Sequence, residues 1–227
     1  AEFNHFFPVE FWREVVERIK TEQPDTLLVA EAFWLMEGYF VRTLGMHRVY
    51  NSAFMNMLKR EDNANYRKTL GEILAFDPAI LQRFVNFMSN PDEETAIEQF
   101  GNSDKYFCVA TLLCSMPGLP LFAHGQLEGL REKYGMEYSR PEWKEEIDQR
   151  LLNEHCQKIS PLLRKRELFS GADNFQLYDF VSEQGTEEDV YAFSNALNGQ
   201  PVLMLCNNSS HYIRGHIGDA IRSISGT

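Results

Sequence analysis

The sequence predicts an α/β fold: a parallel sheet wrapped by helices, followed by an antiparallel β domain. Two observations carry this. Up to about residue 170, short apolar runs alternate with segments of helical period, the pattern of repeated βα units. Beyond that point strand-like runs follow one another with only turn residues between them. The boundary divides the chain into residues 1–170 and 171–227. With 227 residues, 44% of them hydrophobic, a sizeable core is expected.

The elements justify themselves in order. In "PVEFWREVVERIK", Trp12, Val15, Val16 and Ile19 recur at i, i+3, i+4, i+7, one face of a helix, with Pro8 suited to the first turn. Thr26 to Ala30 is a continuous apolar run, as expected of a parallel strand covered on both faces. "WLMEGYFVRTLGM" reads as a helix ending near Gly45, and "HRVYNSAF" as a second strand. Tyr66, Leu70, Ile73 and Leu74 mark a helix, and Asp77-Pro78 is a cap with a first-turn proline. "FVNFM" is a third strand. Asn102-Ser103-Asp104 opens the apolar helix "KYFCVATLLCSM", which Pro117 ends. "LPLFAHGQ" is a fourth strand and its loop. Trp143, Ile147 and Leu151 repeat at four and predict a helix reaching toward Arg166. "FQLYDFV", "VYAFSNAL" and "PVLMLCNN" are the strands of the second part, joined by turn material such as "NGQ".

Composition excludes some classes. The net charge of −11 argues against a nucleic-acid binder, which needs a basic face. No apolar stretch approaches the ~20 residues of a membrane span, so no membrane partner is expected. Cys108, Cys114, Cys156 and Cys206 form no C-x-x-C pair and read as free thiols of a reducing compartment. No signal peptide is visible, and a cytoplasmic location is expected. No initiator Met precedes "AEFNHFFP", and "IRGHIGDAIRSISGT" has no clear ending, so the chain is expected to continue on both sides.

Two carboxylates stand out by position. Glu31 follows the strand "TLLVA", and Asp92 follows "FVNFM" after a short link. Residues at the C-terminal ends of parallel strands face the site. A pair of acids there is what glycosidic bond cleavage needs, one to protonate the leaving oxygen and others to stabilise the positive sugar. Burial beside Phe33 and Trp34 would keep the acid protonated near neutral pH. Acidic residues after strands also serve as helix caps, so spacing alone leaves both readings open for Glu31 and Asp92.

Five segments, in order, resemble the α-amylase superfamily, glycoside hydrolase family 13. "LLVAEAFW" is similar to the fifth-strand motif that carries the general acid/base Glu. "FVNFMSNPDEETA" is similar to the seventh-strand motif, and "MPGLPLFAHGQLEGL" to the eighth-strand stretch. "ISPLLRKRELFSG" resembles the closing helix of the barrel, and "LYDFV", "VYAFSN" and "PVLMLCNN" the opening strands of the C-terminal β-sandwich. The resemblance implies the C-terminal half of a (β/α)8 TIM barrel, followed by the beginning of an antiparallel β-sandwich. It implies a retaining α-glycosidase or transglycosidase acting on α-glucan or related α-glycosides, with Glu31 as general acid/base and Asp92 as transition-state stabiliser. The family's nucleophile, an Asp in a Gly-Phe-Arg-x-Asp motif, has no counterpart among these residues and is expected just before Ala1.

Asn90 matches the Asn of the seventh-strand motif, where the family's next residue is His and this sequence has Pro91. That departure, with "AEAFW" and "LGMHRVYNSAF", is similar to the maltosyltransferase branch. A non-catalytic carbohydrate-binding relative is the alternative of a different class. Trp34 is a candidate for stacking on a sugar and equally for the core. His124, after the fourth strand, is a candidate substrate contact, while Glu2 and His5 read as solvated loop residues. The implied partners are an oligo- or polysaccharide substrate and the N-terminal half of the barrel. No cofactor is expected. Calcium is conceivable for the full-length protein, but the acidic "NPDEETAIEQ" run has no ligand spacing.

Overall fold

The structure is a computed structural model that describes residues 9–32, 36–133 and 138–221. Four parallel strands form one sheet in chain order: β1 (Val29–Ala30), β2 (Arg48–Tyr50), β3 (Phe84–Phe87) and β4 (Leu119–Leu121). Each strand pairs with the next in sequence. Parallel neighbours need long crossovers, and helices supply them here. The helix α1 (Phe11–Glu22) precedes β1, and a π-helical turn (Tyr39–Thr43) leads to β2. Between β2 and β3 lie α2 (Ser52–Arg60) and α3 (Asn63–Phe76). Between β3 and β4 lie α4 (Ala96–Phe100) and α5 (Asp104–Ser115). Consecutive parallel strands with helical crossovers are the repeating unit of a (β/α)8 barrel, and four of them make half of one.

Burial follows the apolar runs. All four residues of β3 are buried, as its continuous "FVNF" requires. Eight of the twelve residues of α5 are buried, so this helix is the centre of the core. The edges are different: β1 and β4 each have one neighbour among the described residues, and Leu27 and Val29 are exposed at the β1 end. A bare edge of this kind is normally covered.

Several sequence expectations shift. The strand expected over Thr26–Ala30 pairs only at Val29 and Ala30. Helix α1 begins at Phe11, because the Glu10 side chain accepts the Arg13 N–H at 3.1 Å and caps it there. "HRVYNSAF" is strand only to Tyr50. Asn51 then caps α2 by accepting the Phe54 N–H at 3.2 Å. The helix expected from Trp143 starts instead at α6 (Gln149–Glu154), where the Asp148 carboxylate accepts the Leu151 N–H at 3.0 Å. Trp143 and Ile147 lie in the loop before it and are exposed. From α6 the chain runs on through a π-helical turn (His155–Ile159) into α7 (Ser160–Arg164) and α8 (Glu167–Ser170).

The second part is an antiparallel sheet of β5 (Gln176–Ser182), β6 (Gly185–Thr186), β7 (Val190–Leu197), β8 (Gln200–Asn207) and β9 (His216–Ala220). The order is β6-β5-β7-β8, with β9 also pairing β5. The β7–β8 hairpin turns on Asn198 and Gly199, both at positive φ, the two-residue geometry that an Asn-Gly pair favours.

Helix α3 docks on this sheet through its first two turns. Arg67, 4% exposed, places Nη2 2.7 Å from Asp179 Oδ1 and Nε 2.7 Å from Glu188 Oε2, and its Nη1 donates to the Tyr178 and Val190 carbonyls. Asn63 donates to Asp189 and to the Asn208 carbonyl, while its own oxygen accepts from Tyr191 and from Asn208. Replacing Arg67 by Met strips four acceptors of their donor. Both carboxylates are more than a third exposed and rehydrate, so the expected loss is about 2–3 kcal/mol rather than the full cost of a broken buried pair. Urea denaturation checks it; a midpoint equal to the parent's would show that the arginine adds nothing to the interface.

Candidate functional site

The C-terminal ends of the four strands converge on one region. Glu31 directly follows β1, Tyr50 ends β2, the 88–92 segment follows β3, and Phe122 to His124 follow β4. The Glu31 and Asp92 carboxyl groups are hydrogen-bonded to each other. Two carboxyl groups can share such a bond only with a proton between them. The Glu31 carboxyl is held above the ordinary carboxylate range, first by partial burial, then by the negative charge of Asp92 and the hydrogen bond to it. Both residues remain open to solvent.

Asp92 is aimed by its loop. Asn90 is 6% exposed, and its side-chain oxygen accepts the N–H groups of Asp92 and Glu93, both at 2.9 Å. Lys133 Nζ donates to the Asp92 carbonyl at 2.8 Å. The Asn90 side chain thus folds the turn that presents Asp92, whatever contact its amide nitrogen makes. Asn90→Ala is expected to free the 90–93 turn and let Asp92 move away from Glu31, lowering the Glu31 carboxyl toward its ordinary range. NMR titration of Glu31 checks this; an unchanged titration would mean that Asn90 does not position Asp92.

Tyr50 is a site residue that attention to acids alone passes over. Its hydroxyl is kept protonated by burial and by the negative charges of Glu31 and Asp92. Its position was the available signal: the last residue of a strand, like the one before Glu31. Beside it opens a cavity of about 550 Å³, lined among others by Tyr50, Asn90, Pro91, Phe122, His124 and Trp143. That is the size of a small-molecule site. His124 is exposed on its wall. Trp34, with Phe33, lies outside the described residues, as do Glu2 and His5.

The acidic run after Asp92 is occupied otherwise. Glu94 pairs with Lys133 at 3.7 Å, and Glu98 with Arg131 at 3.1 Å. Thr95 caps α4 by accepting the Glu98 N–H. Among the described residues no three His, Cys, Asp or Glu side chains are grouped to hold a metal ion. No described helix is long and apolar enough to cross a membrane.

No family model matches the sequence, and no curated protein matches it by sequence. Solved structures do match by fold. The alpha-amylase from H. orenii is 17% identical with a TM-score of 0.64, over 87% of this chain and 46% of that one. The Nostoc punctiforme debranching enzyme is 21% identical with a TM-score of 0.66, over 88% and 45%. The cyclic alpha-maltosyl-(1→6)-maltose hydrolase from Arthrobacter globiformis is 19% identical with a TM-score of 0.67, over 87% and 45%. The chain spans less than half the length of each of these structures. By fold, the chain is a half (β/α)8 barrel followed by an antiparallel β domain, the architecture it shares with the matched part of these structures.

Proposed function

We propose that this half barrel supplies the general acid/base and the transition-state stabiliser of a retaining α-glycosidase or transglycosidase acting on α-glucans. The observation that carries the reading is the hydrogen-bonded Glu31–Asp92 pair at the C-terminal ends of β1 and β3, with the Glu31 carboxyl raised. A raised carboxyl keeps a proton to give to the leaving glycosidic oxygen and can take one back from water or an acceptor sugar. Asp92, the charged neighbour, stabilises the oxocarbenium-like state. The covalent glycosyl intermediate needs a carboxylate nucleophile from a preceding strand. The remaining half of the barrel, which would bring it, covers the bare β1 edge. Asn90 and His124, on the cavity wall, contribute substrate contacts. Structures of similar fold, an amylase, a debranching enzyme and a maltose-oligomer hydrolase, support a glucan substrate.

The test uses the full-length protein with maltooligosaccharides, following the anomeric configuration of the first product by NMR. Retention with Glu31-dependent turnover is expected. Inversion would overturn the retaining assignment, and binding without turnover would favour a carbohydrate-binding relative. Longer oligosaccharides among the products would identify transfer in place of hydrolysis.

A further inference from the structure

We propose that Trp143 is the stacking platform for one sugar ring of a bound oligosaccharide, a ring other than the one attacked. This deepens the functional reading above and rests on it. The first observation is exposure: the Trp143 side chain belongs to a residue 58% exposed, although tryptophan is among the side chains most buried on average. The second is that Trp143 lines the same cavity as Tyr50, Asn90 and His124. Tyr50 connects that cavity to the acid pair, since its hydroxyl feels the charges of both Glu31 and Asp92.

The third observation is that the backbone carrying Trp143 is held in place. The chain after β4 is tied by two reciprocal clips. The Glu132 carboxylate accepts the N–H groups of Glu142 at 2.8 Å and Trp143 at 3.0 Å. The Glu145 carboxylate accepts those of Arg131 at 2.8 Å and Glu132 at 2.9 Å. Four charge-assisted bonds fix the backbone that carries the ring. The Asp148 N–H donates to the Glu128 carbonyl at 2.9 Å, closing the base of the loop. With its backbone already fixed, an exposed apolar ring makes contact at reduced ordering cost.

The chemistry of the cavity indicates the ligand. An indole face is electron-rich, and the C–H-bearing face of a pyranose presents slightly positive hydrogens to it. Glu93, Lys133 and His124 on the same walls offer polar groups to ring hydroxyls. An apolar platform flanked by carboxylate, ammonium and imidazole groups suits a sugar, with one flat C–H face and a hydroxyl rim.

The experiment uses the full-length protein carrying Glu31→Gln, so that substrate binds without turnover. Maltotetraose and glucose are titrated by calorimetry. Adding Trp143→Ala is expected to weaken maltotetraose binding at least tenfold and leave glucose binding unchanged. Trp143→Tyr is expected to recover most of the loss. In the active protein Trp143→Ala is expected to raise KM for maltotetraose while kcat changes little. Equal maltotetraose affinity with and without the indole would overturn the proposal while leaving the functional reading intact. Loss of both ligands together would also overturn it, since the effect would not be confined to one ring. Failure of the Glu31→Gln parent to bind maltotetraose would overturn the functional reading, and this proposal with it. Trp143 is exposed, so a thermal melt matching the parent's is expected for each variant.

Discussion

With Glu31 as the proposed general acid/base, its replacement by Gln in the full-length protein is expected to lower turnover by about 10²–10⁴-fold, the usual contribution of such a group. It is expected to leave the fold unharmed. The amide is isosteric and can donate to Asp92, so the contact between the two side chains survives in neutral form. The sign of the stability effect follows from the raised carboxyl. A carboxyl with a higher pKa in the folded state binds protons more tightly there than in the unfolded chain. Its ionisation therefore removes stability as pH rises through the unfolded value toward the folded one. Glutamine has no such ionisation, so at neutral pH the variant should melt at or slightly above the parent temperature. A residue kept for stability would show the opposite. The same reasoning fixes the pH profile. The acid step of the proposed reaction needs protonated Glu31, so its rate is expected to fall as pH rises through the raised pKa. Asp92→Asn removes the charge that is the second cause of the elevation and should move that limb to lower pH, besides lowering kcat. Melting of Glu31→Gln well below the parent, or retained turnover, would take Glu31 out of the mechanism.

How far the sequence reveals this depends on whether a feature is local. "FVNF" is legible as a buried parallel strand because every residue is apolar or, like Asn86, satisfied inside by donating to the Pro117 carbonyl. Asn198-Gly199 is legible as a hairpin because the positive φ values are set by those two residues themselves. The strand β9 left no local signal, since its partner β5 lies some forty residues earlier. Trp143 was misleading for the same reason. Its spacing to Ile147 and Leu151 has helical period, but its N–H is taken by Glu132 and the helix is started by the Asp148 cap. At the site, strand-end position singled out Glu31 and Asp92, whereas their hydrogen bond and the charge felt by Tyr50 exist only once β1, β2 and β3 are side by side. Asn90 shows the limit of a motif: the letter suggests a substrate contact, while its oxygen is occupied in folding the loop.

The largest effect on stability is expected from Gly118→Ala, the glycine of "MPGLP". Gly118 has φ of +108°, where a side chain is strained, and a Cβ built there would lie 2.5 Å from the Phe84 carbonyl oxygen and 2.9 Å from that of Leu81. Backbone strain and overlap each cost about 1–3 kcal/mol. The neighbours cannot retreat cheaply, because both contacts are main-chain atoms beside β3. The region is also locked from the other side. Arg166, from the "LLRKR" segment, donates to the carbonyls of Cys114, Met116 and Gly118, gathering the C-terminal end of α5 and the start of β4 under one guanidinium. Relief of the clash therefore requires β4 to move as a unit away from β3, with Phe122 and His124 carried along. The expected result is a fall in Tm of about 10 °C, at roughly 2–4 °C per kcal/mol for a chain of this size. Substrate binding should weaken as the cavity wall shifts. Gly171→Ala is the control: it lies in the extended region with nothing within 4 Å of an added Cβ, and its Tm should stay within a degree or so of the parent. If Gly118→Ala melted with Gly171→Ala, the close packing of β3 against β4 would not be what holds the half barrel in register, and the site built on those two strand ends would lose its physical basis.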